Sequence, residues 1–538
     1  MNSRHLTARR PKARARLLAA TAMVAALGFG GAAFAQNEAQ DAGLQPQQQP
    51  DAPTGDAAAP AMGTAPSEQP RGPVDPRDAM IVDMKQQMDE LRSQVADLKA
   101  QMNSGFADVR DTQAHTDKVV MTNGKPSLQS ADGKFTANLH GIMQFDAAHY
   151  FQNDVPAANT DAHARDLNDG TNFRRARIGI DGKAFSVFNY NVLFDFGGTG
   201  AEDAGKIQEL WVEYAGLKPM RLRVGAFAPL LGLEDANSTN GMPFLERPSP
   251  AEIARSIAGG DRRSGIQLAG NGDHWTAAAA ITGNTISSLN TAATAFNSQN
   301  YDEQLGYTGR VTFVPLYGQD WLIHLGANAS YVEHMPDAGP TATLRYVAQL
   351  RDRPELTVDT TRLVDTGSIN ATHLGHYGFE LAGQYKSFYA QGEYFHYKID
   401  RRDSTLSNPD FDGWYVEGSW VLTGEPRKYN TANAAFDAPA VANPFNYGNG
   451  KWGAVELAAR WSDTNLNYGE GDEGTAAVPD AVRGGEQRIF TAGVNWYLNP
   501  VVRLMLDWQH VDIDRLNAAG LQIGQTYNTI AVRSQLAF

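Results

Sequence analysis

The sequence contains no cysteine, so a disulfide framework and a thiolate metal site are both excluded. It also has no run of about 18 consecutive apolar residues, the length that a membrane-spanning helix needs. Short enzyme motifs are missing as well: there is no Gly-x-Ser-x-Gly elbow, no His-Glu-x-x-His pair and no phosphate loop. We therefore expect no enzymatic activity, no cofactor and no metal centre.

The first 35 residues carry positive charge and no acidic residue. Six basic residues precede an apolar run from Leu17 to Phe29, and Ala33 and Ala35 place small side chains where a signal peptidase reads. This pattern predicts a secretory signal peptide over residues 1–35. A transmembrane anchor is the alternative, but the apolar run is too short to favour it.

Acidic residues dominate the remainder of the chain. The formal net charge is −14, and removal of the six basic residues changes it to −14 − 6 = −20. A charge of this sign argues against nucleic-acid binding as a bulk property.

Between residues 135 and 538, many short runs alternate between polar and apolar side chains with a period of two. In the run 187–196, aromatic and aliphatic residues take every second position, and Asn189, Asn191 and Asp195 fall between them, with Leu193 as the one apolar residue on the polar face. A period of two indicates strands, because successive side chains leave a strand on opposite sides. A soluble sandwich shows the same alternation in any single run. One apolar, aromatic-rich face and one charged face, repeated without a helix between them, are typical of a membrane barrel with a wet interior.

Sixteen strand-like runs can be counted between residues 135 and 538. Their connections alternate between short and long, as expected for periplasmic turns and extracellular loops. The connection 424–451 is an exception, because it is long and parity places it on the periplasmic side. The sequence therefore predicts an all-β fold: a 16-stranded antiparallel transmembrane β-barrel with both ends in the periplasm.

An N-terminal extension separates the signal peptide from the barrel. Residues 36–76 are rich in Pro, Ala and Gln, which predicts a disordered linker. In residues 77–110, apolar residues follow a heptad pattern with spacings of three and four: Ile81, Met84, Met88, Leu91, Val95, Leu98 and Met102. This seam predicts a periplasmic coiled-coil helix. A single amphipathic helix lying on the barrel is the alternative.

Six short motifs follow one another in order along the chain: Asn172-Phe-Arg-Arg-Ala-Arg-Ile-Gly-Ile, Tyr190-Asn-Val-Leu-Phe-Asp-Phe, Phe244-Leu-Glu-Arg, Trp420-Val-Leu-Thr-Gly-Glu-Pro-Arg-Lys-Tyr429, Gly453-Ala-Val-Glu-Leu-Ala-Ala-Arg460 and Gly493-Val-Asn-Trp-Tyr-Leu-Asn-Pro500. Taken together, these motifs resemble the phosphate-selective porin O/P family. The resemblance implies a trimeric 16-stranded barrel whose third long loop folds inward. It also implies an anion path lined by arginines, and Arg174, Arg175 and Arg177 match the family's arginine-rich strand.

Strand parity predicts which charged side chains of the wall face the lumen. Eight arginines and eight acids are predicted to do so: Arg175, Arg177, Arg221, Arg223, Arg310, Arg460, Arg503, Arg533, Asp195, Glu209, Glu213, Glu380, Glu393, Glu417, Glu456 and Asp507. The wall alone therefore does not specify anions, and an ion pair with a neighbouring carboxylate is the alternative for each arginine.

The third long loop, 228–263, adds further arginines at the predicted constriction. Arg255, Arg262 and Arg263 are the first choices there, because a guanidinium group donates two hydrogen bonds to a phosphate and does not deprotonate. The complete set of candidate anion-binding residues is Arg174, Arg175, Arg177, Arg221, Arg223, Arg247, Arg255, Arg262 and Arg263. Solvated loop charge is the alternative for Arg262 and Arg263. The acids of the loops, and the scarcity of lysine, are departures from the family's pattern.

Three functions follow as hypotheses. The first is an outer-membrane porin for passive diffusion of small anions, with phosphate or polyphosphate as cargo. The second keeps the porin and changes the cargo to a general or organic solute. The third is a structural tether of the envelope, in which the extension reaches peptidoglycan. The expected partners are outer-membrane lipid, small anions and two further copies of the chain.

Overall fold

The structure, a computed structural model, describes residues 75–114, 116–122, 124–152, 166–197, 205–258, 262–286, 302–318 and 320–538. The predicted signal peptide lies outside the described residues, and so does the predicted linker as far as residue 74. The chain separates into two compact units, Met1–Arg92 and Ser93–Phe538.

The heptad segment forms one long helix, α1 (Pro76–Ala114). Its seven seam residues are each between 52% and 60% exposed in the single chain. The predicted helix is therefore confirmed, while its coiled-coil pairing and periplasmic location stay predictions. No helix among the described residues is long and apolar enough to cross a membrane.

Sixteen antiparallel strands close into a barrel, as the alternation predicted. In chain order they are β1 (Thr136–Phe151), β2 (Gly170–Ala184), β3 (Phe188–Asp195), β4 (Lys206–Tyr214), β5 (Met220–Phe227), β6 (Arg263–Asn271), β7 (Trp275–Thr285), β8 (Leu305–Tyr317), β9 (Trp321–His334), β10 (Ile369–Tyr385), β11 (Phe388–Arg401), β12 (Asp410–Val421), β13 (Ala454–Tyr468), β14 (Val482–Tyr497), β15 (Val502–Asp514) and β16 (Thr526–Ala537). The last strand pairs with the first, with Leu536 opposite Met143, and this pairing closes the ring.

The two faces of the barrel have the polarity that the sequence predicted. On the outer face, Val224 is 49% exposed and Phe379 is 57% exposed. On the inner face, Gln144, Arg460 and Thr491 are at most 2% exposed. An apolar outer band suits lipid contact, and a polar interior suits water and solutes.

Three connections fold into the barrel and fill much of it. The lumenal loop (residues 228–258 and 262) carries two helices, α2 (Leu233–Ala236) and α3 (Ser249–Ala258). The loop insert (residues 335–368) carries the short strand pair Arg351–Asp352 and Val364–Asp365. The turn insert (residues 422–453) carries the pair Arg427–Asn430 and Ala435–Pro439.

The hydrophobic core lies inside the barrel, between α3 and the wall. Ile253 and Ile257 of α3 are at most 3% exposed, and they belong to one buried cluster with Phe395 and Tyr397 of β11. The lumenal loop is therefore a packed part of the fold, which is why it keeps a defined position in the lumen.

A small hairpin precedes the barrel, and the sequence reasoning did not find it. Strands Lys118–Thr122 and Lys125–Gln129 pair with each other, and the second also pairs with β1, with Ser127 opposite Asn138.

Candidate solute path

Three adjoining cavities run along the inner wall formed by β1–β5. The first, of about 340 Å³, lies at the end with the long connections, beside Asn172 and Lys206. The middle cavity measures about 380 Å³. The third, of about 470 Å³, lies beside the short turns, where Lys183 and Ala215 contribute to its lining. Because neighbouring cavities share lining residues, the three together form one candidate path through the barrel.

Four arginines of the described residues line both the first and the middle cavity: Arg177, Arg247, Arg255 and Arg262. We name them the arginine girdle. Arg177 projects from β2, Arg247 from the lumenal loop, Arg255 from the last turn of α3 and Arg262 from the residue before β6. All four are among the candidate anion-binding residues predicted from the sequence. The inward fold of the lumenal loop brings its three arginines close to Arg177 of the wall.

Two girdle arginines have a wall carboxylate as neighbour. The Nε atom of Arg177 lies 2.7 Å from Oδ2 of Asp195. The Nη2 atom of Arg262 lies 3.6 Å from Oε1 of Glu209. The pKa of Arg262 lies below its ordinary value. Burial lowers it most, and the neighbouring cations Arg255 and Arg247 lower it further, while the charge of Glu209 opposes them. Neighbouring guanidinium groups therefore repel one another at this point, and an anion between them relieves the repulsion.

Arg255 is held within the lumenal loop. Its Nε atom donates to Oδ1 of Asp235 over 2.7 Å, and its Nη1 atom donates to Oε1 of Glu252 over 2.9 Å. Glu252 in the first turn of α3 and Arg255 in the last turn also suit the helix dipole.

Arg247 differs from the other three members of the girdle. Its guanidinium donates to the backbone carbonyl oxygens of Glu234 (3.3 Å) and Asn237 (3.1 Å). No carboxylate of the described residues lies within 4.0 Å of it, whereas Arg177, Arg255 and Arg262 each have one. Arg247 is therefore held by backbone carbonyl oxygens, whereas the other three members are held by carboxylates.

Glu246 neutralises the arginine pair at the first cavity. Its carboxylate accepts from Nε of Arg174 over 2.6 Å and from Nη2 of Arg533 over 2.9 Å, and Arg175 lies 4.0 Å away. Burial raises the pKa of Glu246, but the charges of Arg174, Arg175 and Arg533 outweigh burial and hold that pKa well below its ordinary value. Arg174 and Arg175 thus line the path with part of their charge already compensated.

Arg221 and Arg223 lie further along the path and share one carboxylate. Arg223 lies 2.8 Å from Oε2 of Glu213, and Arg221 lies 3.6 Å from the same oxygen. The guanidinium of Arg223 also stacks on Trp211, 4.0 Å from the ring centroid. Arg223 lines the middle and third cavities, so the predicted series of arginines continues beyond the girdle.

Arg263 lies outside the lining of the three cavities, although the sequence analysis placed it at the constriction. It is 7% exposed, and its Nη2 atom donates to the carbonyl oxygen of Ser256 over 2.7 Å. It is the first residue of β6, and its side chain points into the barrel, where it contacts α3. We therefore assign it to the support of α3.

Five cationic or aromatic side chains line the path without having been among the candidate residues named from the sequence. Lys125, Lys183, Lys206, Arg353 and Trp211 all line the path. Lys125 comes from the unforeseen hairpin and Arg353 from the loop insert, so no pattern in the strands indicated them.

The balance of charge along the path differs from that of the predicted wall. Among the residues that the structure describes, twelve cationic and six acidic side chains line the three cavities: Lys125, Arg174, Arg175, Arg177, Lys183, Lys206, Arg221, Arg223, Arg247, Arg255, Arg262 and Arg353 against Asp181, Asp195, Glu209, Glu213, Asp235 and Glu252. The inserts cover many of the wall charges, among them Glu380, Glu393, Glu417, Glu456 and Asp507, which line none of the three cavities. The wall was predicted to carry equal numbers of arginines and acids, but the lining of the path carries more cationic than acidic side chains.

Wall arginines away from the path hold the lumenal loop and the turn insert in place. Arg460 donates to the carbonyl oxygen of Glu246 over 3.0 Å, and Arg503 donates to that of Met242 over 2.7 Å. Arg310 makes a bidentate pair with Glu380 and also donates to the carbonyl oxygen of Ala434 in the turn insert, over 2.9 Å. These arginines face inward as predicted, and their contacts are with the inserts.

A closed sixteen-stranded barrel with a charged lumen narrowed by inward loops defines an outer-membrane porin. A profile of the family described as "Phosphate-selective porin O and P" matches residues 145–538. The chain belongs to this family, as the sequence motifs indicated, and its barrel is a barrel of the outer membrane.

Two relatives show the extent of the likeness. Porin O of Pseudomonas aeruginosa is 25% identical over 426 residues, which cover 74% of this chain and 88% of the relative. An uncharacterised protein of Caulobacter vibrioides is 26% identical over 420 residues, which cover 77% of this chain and 76% of the relative. Among solved structures, OmpT of Vibrio cholerae matches with a TM-score of 0.43 at 10% identity, covering 78% of this chain and all of that one.

Proposed function

We propose that this porin carries small anions by passive diffusion, with phosphate or polyphosphate as cargo, and that the arginine girdle selects them. The observation that carries the proposal is the meeting of four guanidinium groups where the first and middle cavities join. One guanidinium group can donate two parallel hydrogen bonds to two oxygens of a phosphate, and it keeps its charge at any physiological pH.

The arrangement of the girdle suits conduction as well as selection. Conduction needs sites that bind an ion strongly enough for entry and weakly enough for release. Asp195, Glu209 and Asp235 partly neutralise three of the arginines, and Arg247 has only backbone carbonyl oxygens as hydrogen-bond acceptors among the described residues. Arg174 and Arg175 before the girdle, and Arg223 after it, supply further sites in series.

Block of chloride current by phosphate tests this function. In planar bilayers, added phosphate is expected to reduce the chloride current of the wild-type porin. In the double variant Arg247→Ala/Arg262→Ala, block is expected to weaken by roughly tenfold or more, because two charged hydrogen-bond donors are lost. Arg488→Ala is the matched control: it makes the same change of residue at an outward-facing position, where the side chain is 37% exposed. Equal block in the wild type and the double variant would refute the phosphate role of the girdle.

A general or organic-solute porin is the second candidate function. The carboxylates beside Arg177, Arg255 and Arg262 favour it, because paired charges hold an inorganic anion less tightly than free ones. Under this function the double variant conducts normally, and its anion preference does not change.

For the extension, we propose that α1 pairs with the same helix of two further copies in the periplasm. The exposed heptad seam supports this pairing, since apolar surface of this kind is stabilised by burial. A tether function adds that the extension reaches peptidoglycan. Deletion of residues 36–110 separates the roles: transport is expected to persist, and only a tether predicts loss of envelope integrity.

A further inference from the structure

The middle cavity has an apolar surface that small inorganic anions do not require. Ile142 of β1, Leu193 of β3 and Trp211 of β4 all contribute to its lining, and so does Leu230 of the lumenal loop. The interior of a membrane barrel is ordinarily polar, because its strands alternate apolar-out and polar-in. Leu193 is the residue that breaks this alternation in β3, and the structure places it on the inner side with 8% exposure.

The backbone around Leu193 leaves room for its side chain. Leu193 pairs with Gly179 of β2. A Cβ atom on Gly179 would lie 2.8 Å from Cδ1 of Leu193 and 2.5 Å from the carbonyl oxygen of Val192. The absence of a side chain at Gly179 therefore allows an apolar group to sit against the sheet at this point.

The apolar side chains lie next to the cations of the path. Ile142 pairs across the sheet with Arg177, a member of the girdle. Trp211 carries the guanidinium of Arg223 on its ring and donates from Nε1 to Oε2 of Glu209 over 2.9 Å. One cavity of about 380 Å³ thus combines guanidinium groups with an aliphatic and aromatic surface. Its size falls within the range of about 300–1,000 Å³ that is usual for small-molecule sites, which combine apolar lining with a few polar groups.

We propose that the middle cavity is a binding site for organic anions with a compact apolar body, of the benzoate class. The girdle holds the carboxylate, and Ile142, Leu193 and Trp211 contact the ring. This inference rests on the proposed anion path and names a class of cargo for it. An inorganic anion uses only the guanidinium groups, whereas an aromatic carboxylate uses both surfaces at once.

Benzoate and acetate are the probes that test the site, because they share a carboxylate and differ in the ring. Each is added to the wild-type porin in a planar bilayer, and block of the chloride current is titrated. We expect benzoate to block at a concentration roughly five- to tenfold lower than acetate, since only benzoate buries apolar surface. Equal potency of the two anions in the wild type would overturn the proposal.

Variants at the apolar surface sharpen the test. Leu193→Asn restores the polar alternation and is expected to remove most of the benzoate preference, and Ile142→Asn is a second variant at a separate strand. Leu193→Met keeps an apolar side chain of similar size and is expected to retain the preference. Retention of the preference in both asparagine variants would overturn the assignment of the site. The wild-type comparison decides the proposal even if a variant does not assemble.

Phosphate block of the same wild-type channels separates this inference from the proposed function. If phosphate blocks and benzoate has no advantage over acetate, only the organic-anion site fails. If neither phosphate nor benzoate blocks the current, the anion path itself fails.

Discussion

At the scale of single residues, the carboxylate of Glu246 neutralises part of the charge of Arg174 and Arg175 at the first cavity. Glu246 contacts Arg174 and Arg533 directly, although the three residues come from the lumenal loop, β2 and β16. The sequence motif Phe244-Leu-Glu-Arg247 indicated that this segment matters, but it could not show which side of the motif faces the solute. In the folded barrel, Glu246 contacts Arg174 and Arg533 of the wall, whereas Arg247 lines the path as a member of the girdle.

Glu246 is expected to make the barrel sensitive to acid. Its pKa in the folded protein lies below the ordinary value of 4.5, because Arg174, Arg175 and Arg533 outweigh the effect of burial. A lowered pKa stabilises the fold fully above pH 4.5, and the stabilisation is lost as the pH falls through the lowered value. The free energy of unfolding in detergent, measured from neutral pH into the acid range, should therefore fall more in the wild type than in Glu246→Gln.

At neutral pH, Glu246→Gln itself is expected to be less stable by about 3–5 kcal/mol, the usual cost of removing one partner from a buried ion pair. The conservative variant Glu252→Gln is the control, because Glu252 pairs with Arg255 at a side chain that is 33% exposed. Parallel pH profiles for the wild type and Glu246→Gln would contradict this account of the site.

At the scale of structural elements, the strands were predictable and the inserts were not. Sixteen runs with a period of two locate β1–β16, because a strand with one face in lipid and one in water must alternate. The lumenal loop was expected to fold inward only because the family resemblance implied it. The turn insert was recognised from the sequence only as an unusually long connection on the periplasmic side. Its inward fold depends on contacts of Ala434 and Phe436 with β8, β9 and β11, and no local sequence pattern encodes contacts between such distant segments.

The lumenal loop depends on a buried arginine of β13. Arg460 is 2% exposed, and its guanidinium donates to Oε2 of Glu355 in the loop insert over 2.6 Å and to the carbonyl oxygen of Glu246 over 3.0 Å. Arg460→Met is expected to destabilise the barrel by about 3–5 kcal/mol, because Glu355 and Glu417 then remain buried without their cation. Thermal unfolding in detergent measures the loss.

A double-mutant cycle identifies the cause of that loss. Glu355→Gln added to Arg460→Met is expected to recover part of the stability, since the uncompensated charge is removed. Strict additivity of the two single changes would show that Arg460 does not hold the loops through Glu355.

At the scale of the whole molecule, the exposed apolar seam of α1 is the feature that predicts association between copies of the chain. The seam of α1 exposes apolar side chains that a single chain leaves uncovered, and Leu91 and Leu98 are each 59% exposed. The double variant Leu91→Asp/Leu98→Asp is expected to lower the temperature at which the proposed trimer dissociates in a heating series on gels. Asp89→Asn changes a charged residue of the same helix outside the seam and serves as control. Unchanged dissociation in the double variant would mean that the seam does not join the copies.

Selection of anions by the girdle is the central claim, and the reversal potential across a chloride gradient tests it most directly. The wild-type porin and Arg488→Ala should both reverse at a potential of the sign set by chloride, because cationic side chains outnumber acidic ones along the path. Arg247→Ala/Arg262→Ala should shift that potential toward zero. A cation-selective wild type, or a double variant with the wild-type potential, would contradict the account.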